Sequence, residues 1–176
     1  AKSLENCGPQ AAALNIPFEQ LMAVLAKMGD NAIKGGKAGT ALKNLFQRMA
    51  APTKEAAAAI EKYNLQTAQA KIVSGDLKGG LLEMKKALDL NKISSNEQQK
   101  AIKQLAGAYG SAGLTAVLNT ATDELMVTFK AMEQGLVSTN DLEKGMDKLM
   151  STIQGQVMRF SANVQLAFYN LYTQAN

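Results

Sequence analysis

Glycines stand beside lysines in the run Ile33-Lys34-Gly35-Gly36-Lys37-Ala38-Gly39-Thr40, a pairing with which phosphate loops cradle anions. That chemistry needs a Gly five residues before the Gly-Lys pair and a Ser or Thr directly after it. Asn31 and Ala38 occupy those positions, and no strand pattern leads in. The carboxylate pairs Asp123-Glu124 and Asp141 with Glu143 are the next candidates, as a general acid and base. Residues one or two apart on a helix face different ways, so neither pair converges on one proton. Cys7 is the single cysteine and the chain has no histidine. Disulfide and metal spacings, Ser-His-Asp triads and an imidazole base for the thiol are thereby removed. No catalytic, cofactor-binding or metal-ligating residue is assigned, and the expectation is a protein that is not an enzyme.

The elements that would position such groups read as helices. Of 176 residues 47% are hydrophobic, with nine Met, nine Phe or Tyr and no Trp. Unbranched side chains lose little rotamer freedom in a helix. The expected fold class is all-α: several short-to-medium helices in a bundle, followed by one long C-terminal heptad helix. Residues 1–135 read as a helical domain and 136–176 as the long helix. The net charge is +4, with eight Lys/Arg against five Asp/Glu in residues 1–63 and three against three in 136–176. A nucleic-acid interface gathers Lys and Arg on one face; these are scattered, so no sequence-specific nucleic-acid partner is expected. The chain has neither a signal-peptide pattern nor eighteen consecutive apolar residues.

Residues 2–14 read as a partial helix broken at Gly8-Pro9. Pro17 opens a helix through Met28, with Phe18, Leu21, Met22, Leu25 and Met28 on one stripe. Lys37 to Ala50 follows, lined by Leu42, Leu45, Phe46 and Met49, while Ala38, Gly39 and Ala41 would let another backbone come close. Pro52 stops it, and Thr53 caps a helix from Lys54 to about Tyr63. Asn64–Ser74 reads as partly irregular, Gly75–Gly80 as a turn and Leu81–Leu90 as helix. Ser94 or Ser95 caps the next helix, with Glu97 suiting the dipole in its first turn. It runs to about Ala106, and Gly107–Gly113 breaks it. Leu114–Gln134 reads as one helix burying Leu118, Leu125, Phe129 and Met132.

After Ser138 and Asp141, which resemble a capping box, nothing interrupts the helical pattern. Met146, Met150, Ile153, Val157, Phe160, Val164, Ala167 and Leu171 alternate steps of four and three, a sustained heptad seam. Beyond Lys148 the only charge is Arg159. The seam either packs on earlier helices of its own domain, or pairs with copies of itself or lines a tube; its length favours the second, because the residues before it are too few to cover it whole. Gln154, Gln156, Ser161, Asn163 and Gln165 flank it in place of the charges that set register and copy number. Four of the nine aromatics, Phe160, Phe168, Tyr169 and Tyr172, fall in the last seventeen residues, so a membrane-active or pore-forming module is an alternative reading. Against it, the polar face lacks the lysines that anchor interfacial helices.

Several ordered words resemble the core region of phage tail tape measure proteins. Gly8-Pro9-Gln10-Ala11-Ala12-Ala13-Leu14-Asn15-Ile16 is similar to the family's opening, with Asn15 where Gly is usual. Phe18-Glu19-Gln20-Leu21 and Ala23-Val24-Leu25-Ala26 resemble its next helix. Ile33-Lys34-Gly35, Ala38-Gly39-Thr40-Ala41-Leu42 and Ala50-Ala51-Pro52-Thr53-Lys54-Glu55-Ala56 are its most distinctive words, and Tyr109-Gly110-Ser111-Ala112-Gly113-Leu114 resembles a later one. The match runs from about Gly8 to Gln134, and the chain reads as a fragment of something longer. The resemblance implies a structural virion part, made in the host cytoplasm and held in the tail tube lumen. Such a protein sets tail length during assembly and leaves when DNA is ejected. The implied partners are copies of itself, the tail tube protein, a tail assembly chaperone, baseplate or tail-tip proteins, and the host membrane at ejection. No cofactor is implied.

Overall fold

The three- and four-residue apolar spacing is realised as eight α-helices in the computed structural model, which describes residues 2–89 and 92–133. They are α1 (Lys2–Ala13), α2 (Phe18–Asp30), α3 (Gly36–Ala50), α4 (Lys54–Lys62), α5 (Gln66–Val73), α6 (Leu77–Ala87), α7 (Ser95–Asn119) and α8 (Thr122–Glu133). Among the described residues there is no strand. The expected bundle is therefore observed, while the long heptad helix over 136–176 lies outside the described residues.

Helix α3 is the hub. It packs on α7 along one side and α1 along another, and meets α2 and α5. Leu42, Leu45, Phe46 and Met49 are all buried, as their spacing predicts. Around this hub α5 pairs with α6, and α8 lies on α2. Three helix starts carry side-chain caps that satisfy otherwise orphaned backbone donors. Thr53 accepts from the Ala56 N–H, Asp76 from Gly79, and Ser94 forms a capping box with Glu97.

Six boundaries differ from the sequence reading. Gly8-Pro9 does not break α1: Pro9 is exposed, and a glycine before it removes the Cβ clash that keeps other residues out of the helical region. Ser3, Cys7 and Ala11, on the other face, are buried. Residues 66–73 are helical, because Ala68 and Ile72, one turn apart, are both buried. Helix α6 begins at Leu77, since the Asp76 carboxylate accepts the Gly79 N–H at 2.8 Å. It ends at Ala87, three residues short of Leu90. Within 107–113 only Gly107 departs from helical geometry, at φ 73 and ψ 171, and α7 continues through Gly110 and Gly113. Finally, the stretch expected as one helix from Leu114 divides at Thr120, whose backbone is extended (φ −62, ψ 138). Lys85 of α6 stabilises that division, its Nζ donating to the Leu118 and Thr120 carbonyls at 2.6 Å each.

The stripe on α2 also rotates. Leu21, Val24, Leu25 and Met28 are buried, whereas Phe18, expected in the core, is 50% exposed. It stands in the first turn, on the groove that α2 forms with α1.

Candidate functional site

The glycine-bearing words meet at one place, the crossing of α1, α3 and α7. A Cβ on Gly39 would collide with the Ser3 carbonyl oxygen and stand 2.8 Å from Ser3 Cα and 2.9 Å from Asn6 Cβ. On the next face of α3, a Cβ on Gly113 would stand 2.7 Å from the Ala41 Cβ, and one on Gly110 3.2 Å from the Ala41 Cα. The Ala38–Leu42 word and the Tyr109–Leu114 word are thus the two halves of one close helix contact. Small residues here bring backbones within van der Waals range, which larger side chains would forbid.

Polar side chains fix the crossing at both ends. At the start of α3 the Ser3 Oγ donates to the Gly35 carbonyl at 2.7 Å. Asn6 Nδ2 donates to the Gly36 carbonyl at 3.1 Å and to Thr40 Oγ1 at 3.3 Å. Gly35 has φ 56, a conformation that glycine adopts without a Cβ penalty. The run that superficially suggests a phosphate loop therefore meets α1 through its carbonyls, and Lys37 points to solvent. At the other end, the first half of α7 stops at Gly107. Arg48 of α3 donates to the Gln104 carbonyl at 2.7 Å, supplying a cation at a helix C-terminus where the dipole favours one.

The remaining candidates have structural surroundings. Cys7 is fully buried and its Sγ donates to the Ser3 carbonyl. Burial pushes the thiol up to about 11, against a smaller lowering by a backbone hydrogen bond, so the nucleophilic thiolate is scarce at neutral pH. Asp123 and Glu124 lie in the first turn of α8. Glu124 accepts from the nearly buried Lys27 at 2.7 Å, and Lys27 also pairs with Asp30 at 3.2 Å. This joins the end of α2 to the start of α8. No group of His, Cys, Asp and Glu among the described residues could hold a metal ion, and no described helix is long and apolar enough to cross a membrane. Asp141, Glu143 and the seam residues Met146, Met150, Ile153, Val157, Phe160, Val164 and Leu171 lie outside the described residues.

The Lys27 cluster carries a pH dependence. Burial acts to lower the ammonium's pKa, but hydrogen bonds and charge from Glu124 and Asp30 outweigh it and hold Lys27 above its usual 10.5. A folded pKa above the unfolded one stabilises fully below 10.5, and that stabilisation is lost as pH rises through the folded value. Unfolding titrations in alkali should show this loss, and Lys27→Met should remove that part of the slope. Identical slopes in the two proteins would contradict the assignment.

The model of the phage-related minor tail protein family matches residues 1–107, about three-fifths of the chain. The chain belongs to this family. The matched span covers α1 to α6 and the first half of α7, and ends at the Gly107 kink. Two relatives carry the tape measure name. A probable tape measure protein of Escherichia phage P2 is 24% identical over 135 residues, 74% of this chain and 17% of that protein. The tape measure protein of Pneumococcus phage Dp-1 is 24% identical over 150 residues, 85% of this chain and 12% of that protein. The chain therefore spans a small part of the tail proteins it matches. No solved structure matches it.

Two residues of this tail-protein crossing escape a reading by spacing. Arg48 sits among the polar residues expected on the outer side of α3, and only the kink brings a carbonyl to it. Gly107 is one of three glycines in a small-residue run, with no local sign separating the one that breaks the helix from the two that pack.

Proposed function

We propose that this chain is a segment of a tape measure protein that occupies the lumen of a phage tail and acts by filling and packing rather than by catalysis. The observation that carries the reading is the family match, together with two relatives named as tape measure proteins. The helical bundle is consistent with it, because the glycine words that resemble the family serve helix packing. On this reading residues 136–176 form a helix whose seam, Met146 to Leu171, associates copies of the chain and other tail proteins meet its outer surface. The protein is made in the host cytoplasm, assembles with the tail tube protein with chaperone help, contacts baseplate or tail-tip proteins, and leaves with the DNA. Tail length is set by the whole polypeptide, of which this is a part.

Mass spectrometry of purified tails tests the assignment. Peptides from residues 2–133 should co-purify with the tube protein, at a few copies per tail. Their absence from tails that eject DNA normally would overturn it. The seam has its own test: association of the 176-residue chain, followed by light scattering over concentration, should weaken by about tenfold or more in Ile153→Asp, because a buried unpaired charge opposes pairing. An unchanged midpoint would remove the seam from the interface.

A further inference from the structure

An apolar groove of about 520 Å³ runs between α1 and the start of α2, lined by Leu4, Gly8, Ala12, Ile16, Phe18 and Leu21. Glu5 is the one charged residue on its lining. Phe18 leaves half its surface in water there, which costs free energy that an apolar occupant would recover.

The course of the chain brings a candidate to this place. The Glu133 carboxylate, at the end of α8, accepts two bonds from Lys78 Nζ at 2.8 and 2.9 Å. The Lys78 backbone N–H donates to Gln20 Oε1 at 2.9 Å, one turn from the groove wall. A Cβ added to Gly75 (φ 94) would stand 2.7 Å from the Asn15 carbonyl oxygen and 3.1 Å from that of Leu14, so the α5–α6 turn lies close against the link from α1 to α2. The described chain thus ends beside the first turn of α2. Twelve residues separate Glu133 from Met146; with 134 and 135 extended and the helix starting at 136 they reach about 25 Å. Crossing α2, a cylinder about 10 Å across, needs less than that. A tether this short gives an effective concentration on the order of millimolar. Within Met146–Leu171 the charges are Asp147, Lys148 and Arg159, none of them a seam position, so laying the seam on an apolar wall desolvates few ions.

We propose that in the isolated chain the Met146–Leu171 seam docks in the α1–α2 groove of its own molecule, and that this contact competes with association between copies. The proposal rests on the seam reading above. Docking in cis makes the seam available only when a partner displaces the groove.

Phe18→Glu and Ala12→Lys in the full 176-residue chain test it. Each places a charge on the groove wall, and each is compatible with its helix: a carboxylate in the first turn of α2, a cation in the last turn of α1. Both should move the association midpoint to lower concentration by about tenfold or more, since the tethered competitor is lost. An unchanged midpoint, or one moved to higher concentration because the groove holds the seam of a second copy, would overturn the proposal. A photo-crosslinker at Glu5, in a mixture of heavy-isotope-labelled and unlabelled full chains, should join residues 146–171 of the same molecule. Adducts between heavy and light chains, or none to that segment, would overturn it as well. If Ile153→Asp leaves association unchanged while Glu5 still crosslinks within one chain, the association reading fails and the groove assignment stands.

Discussion

Gly39→Ala is expected to destabilise the fold by about 2 kcal/mol. Alanine is the better helix former by about 1 kcal/mol, so a glycine with free space around it would gain from the change. At Gly39 the added methyl meets Ser3 main-chain atoms and the Asn6 Cβ within 2.9 Å. Those atoms cannot rotate away, and α1 must move off α3. Overpacking of this kind costs about 3 kcal/mol where backbone is the obstacle, which leaves the net loss near 2. Gly36→Ala, three residues earlier on the same helix, is the control. Its methyl would meet only the Asn6 Nδ2, at 3.5 Å, an ordinary contact, so stability should hold or rise by up to about 1 kcal/mol. Denaturant unfolding of the two variants side by side gives the comparison, and equal losses would contradict the crossing.

The second large effect belongs to Gly107→Ala, at about 3 kcal/mol. Gly107 has φ 73 and ψ 171, a region almost confined to glycine, and forcing another residue there costs about 1–3 kcal/mol. The new methyl would also stand 3.2 Å from Arg48 Nη2 and displace the guanidinium that holds the Gln104 carbonyl. A hydrogen bond from a charged group contributes about 1.5–3 kcal/mol. Arg48→Met should lose the second part alone, about 1.5 kcal/mol. Because the Gly107→Ala methyl acts partly by displacing Arg48, the double variant should lose less than the sum of the singles. A Gly107→Ala protein as stable as the parent would mean that α7 straightens without cost, and the kink would have no role in the fold.

Much of this architecture was legible in the residues, for reasons that differ from element to element. The core stripe on α3 and the caps at Thr53 and Ser94 are local signals, set by spacing and by one side chain reaching one N–H, and all are present. Asn15 takes φ 53 where the resembling family has glycine, as a residue tolerant of that region can. The misread boundaries share another cause. Gly79, Gly80, Gly110 and Gly113 read as turn signals, yet all lie inside helices. Glycine in a helix costs about 1 kcal/mol relative to alanine, and tertiary contact repays it only at sites such as Gly80, where a Cβ would collide with Ile72 and stand 2.9 Å from the Ala68 carbonyl oxygen. That information lives in the partner helix, not in the neighbours along the chain. The same holds for Lys85, whose long side chain divides α7 from α8 from a position thirty-three residues before Leu118.

The candidate site was legible in a different sense. The glycines and small residues of the run read as a turn and a close helix contact, and the structure places Ser3 and Asn6 on its carbonyls. The run marks where three helices come closest. Its chemical poverty and its packing density have one origin, since residues small enough to let backbones touch carry no functional group.

The proposed place of this fold, inside a tail, is open to protease protection in virions of the parent phage, with fragments of residues 2–133 followed by mass spectrometry before and after DNA release is triggered. These peptides should resist protease in intact tails and be gone from the tails once the DNA has left. Cleavage in intact virions, or retention of the peptides in emptied tails, would contradict it.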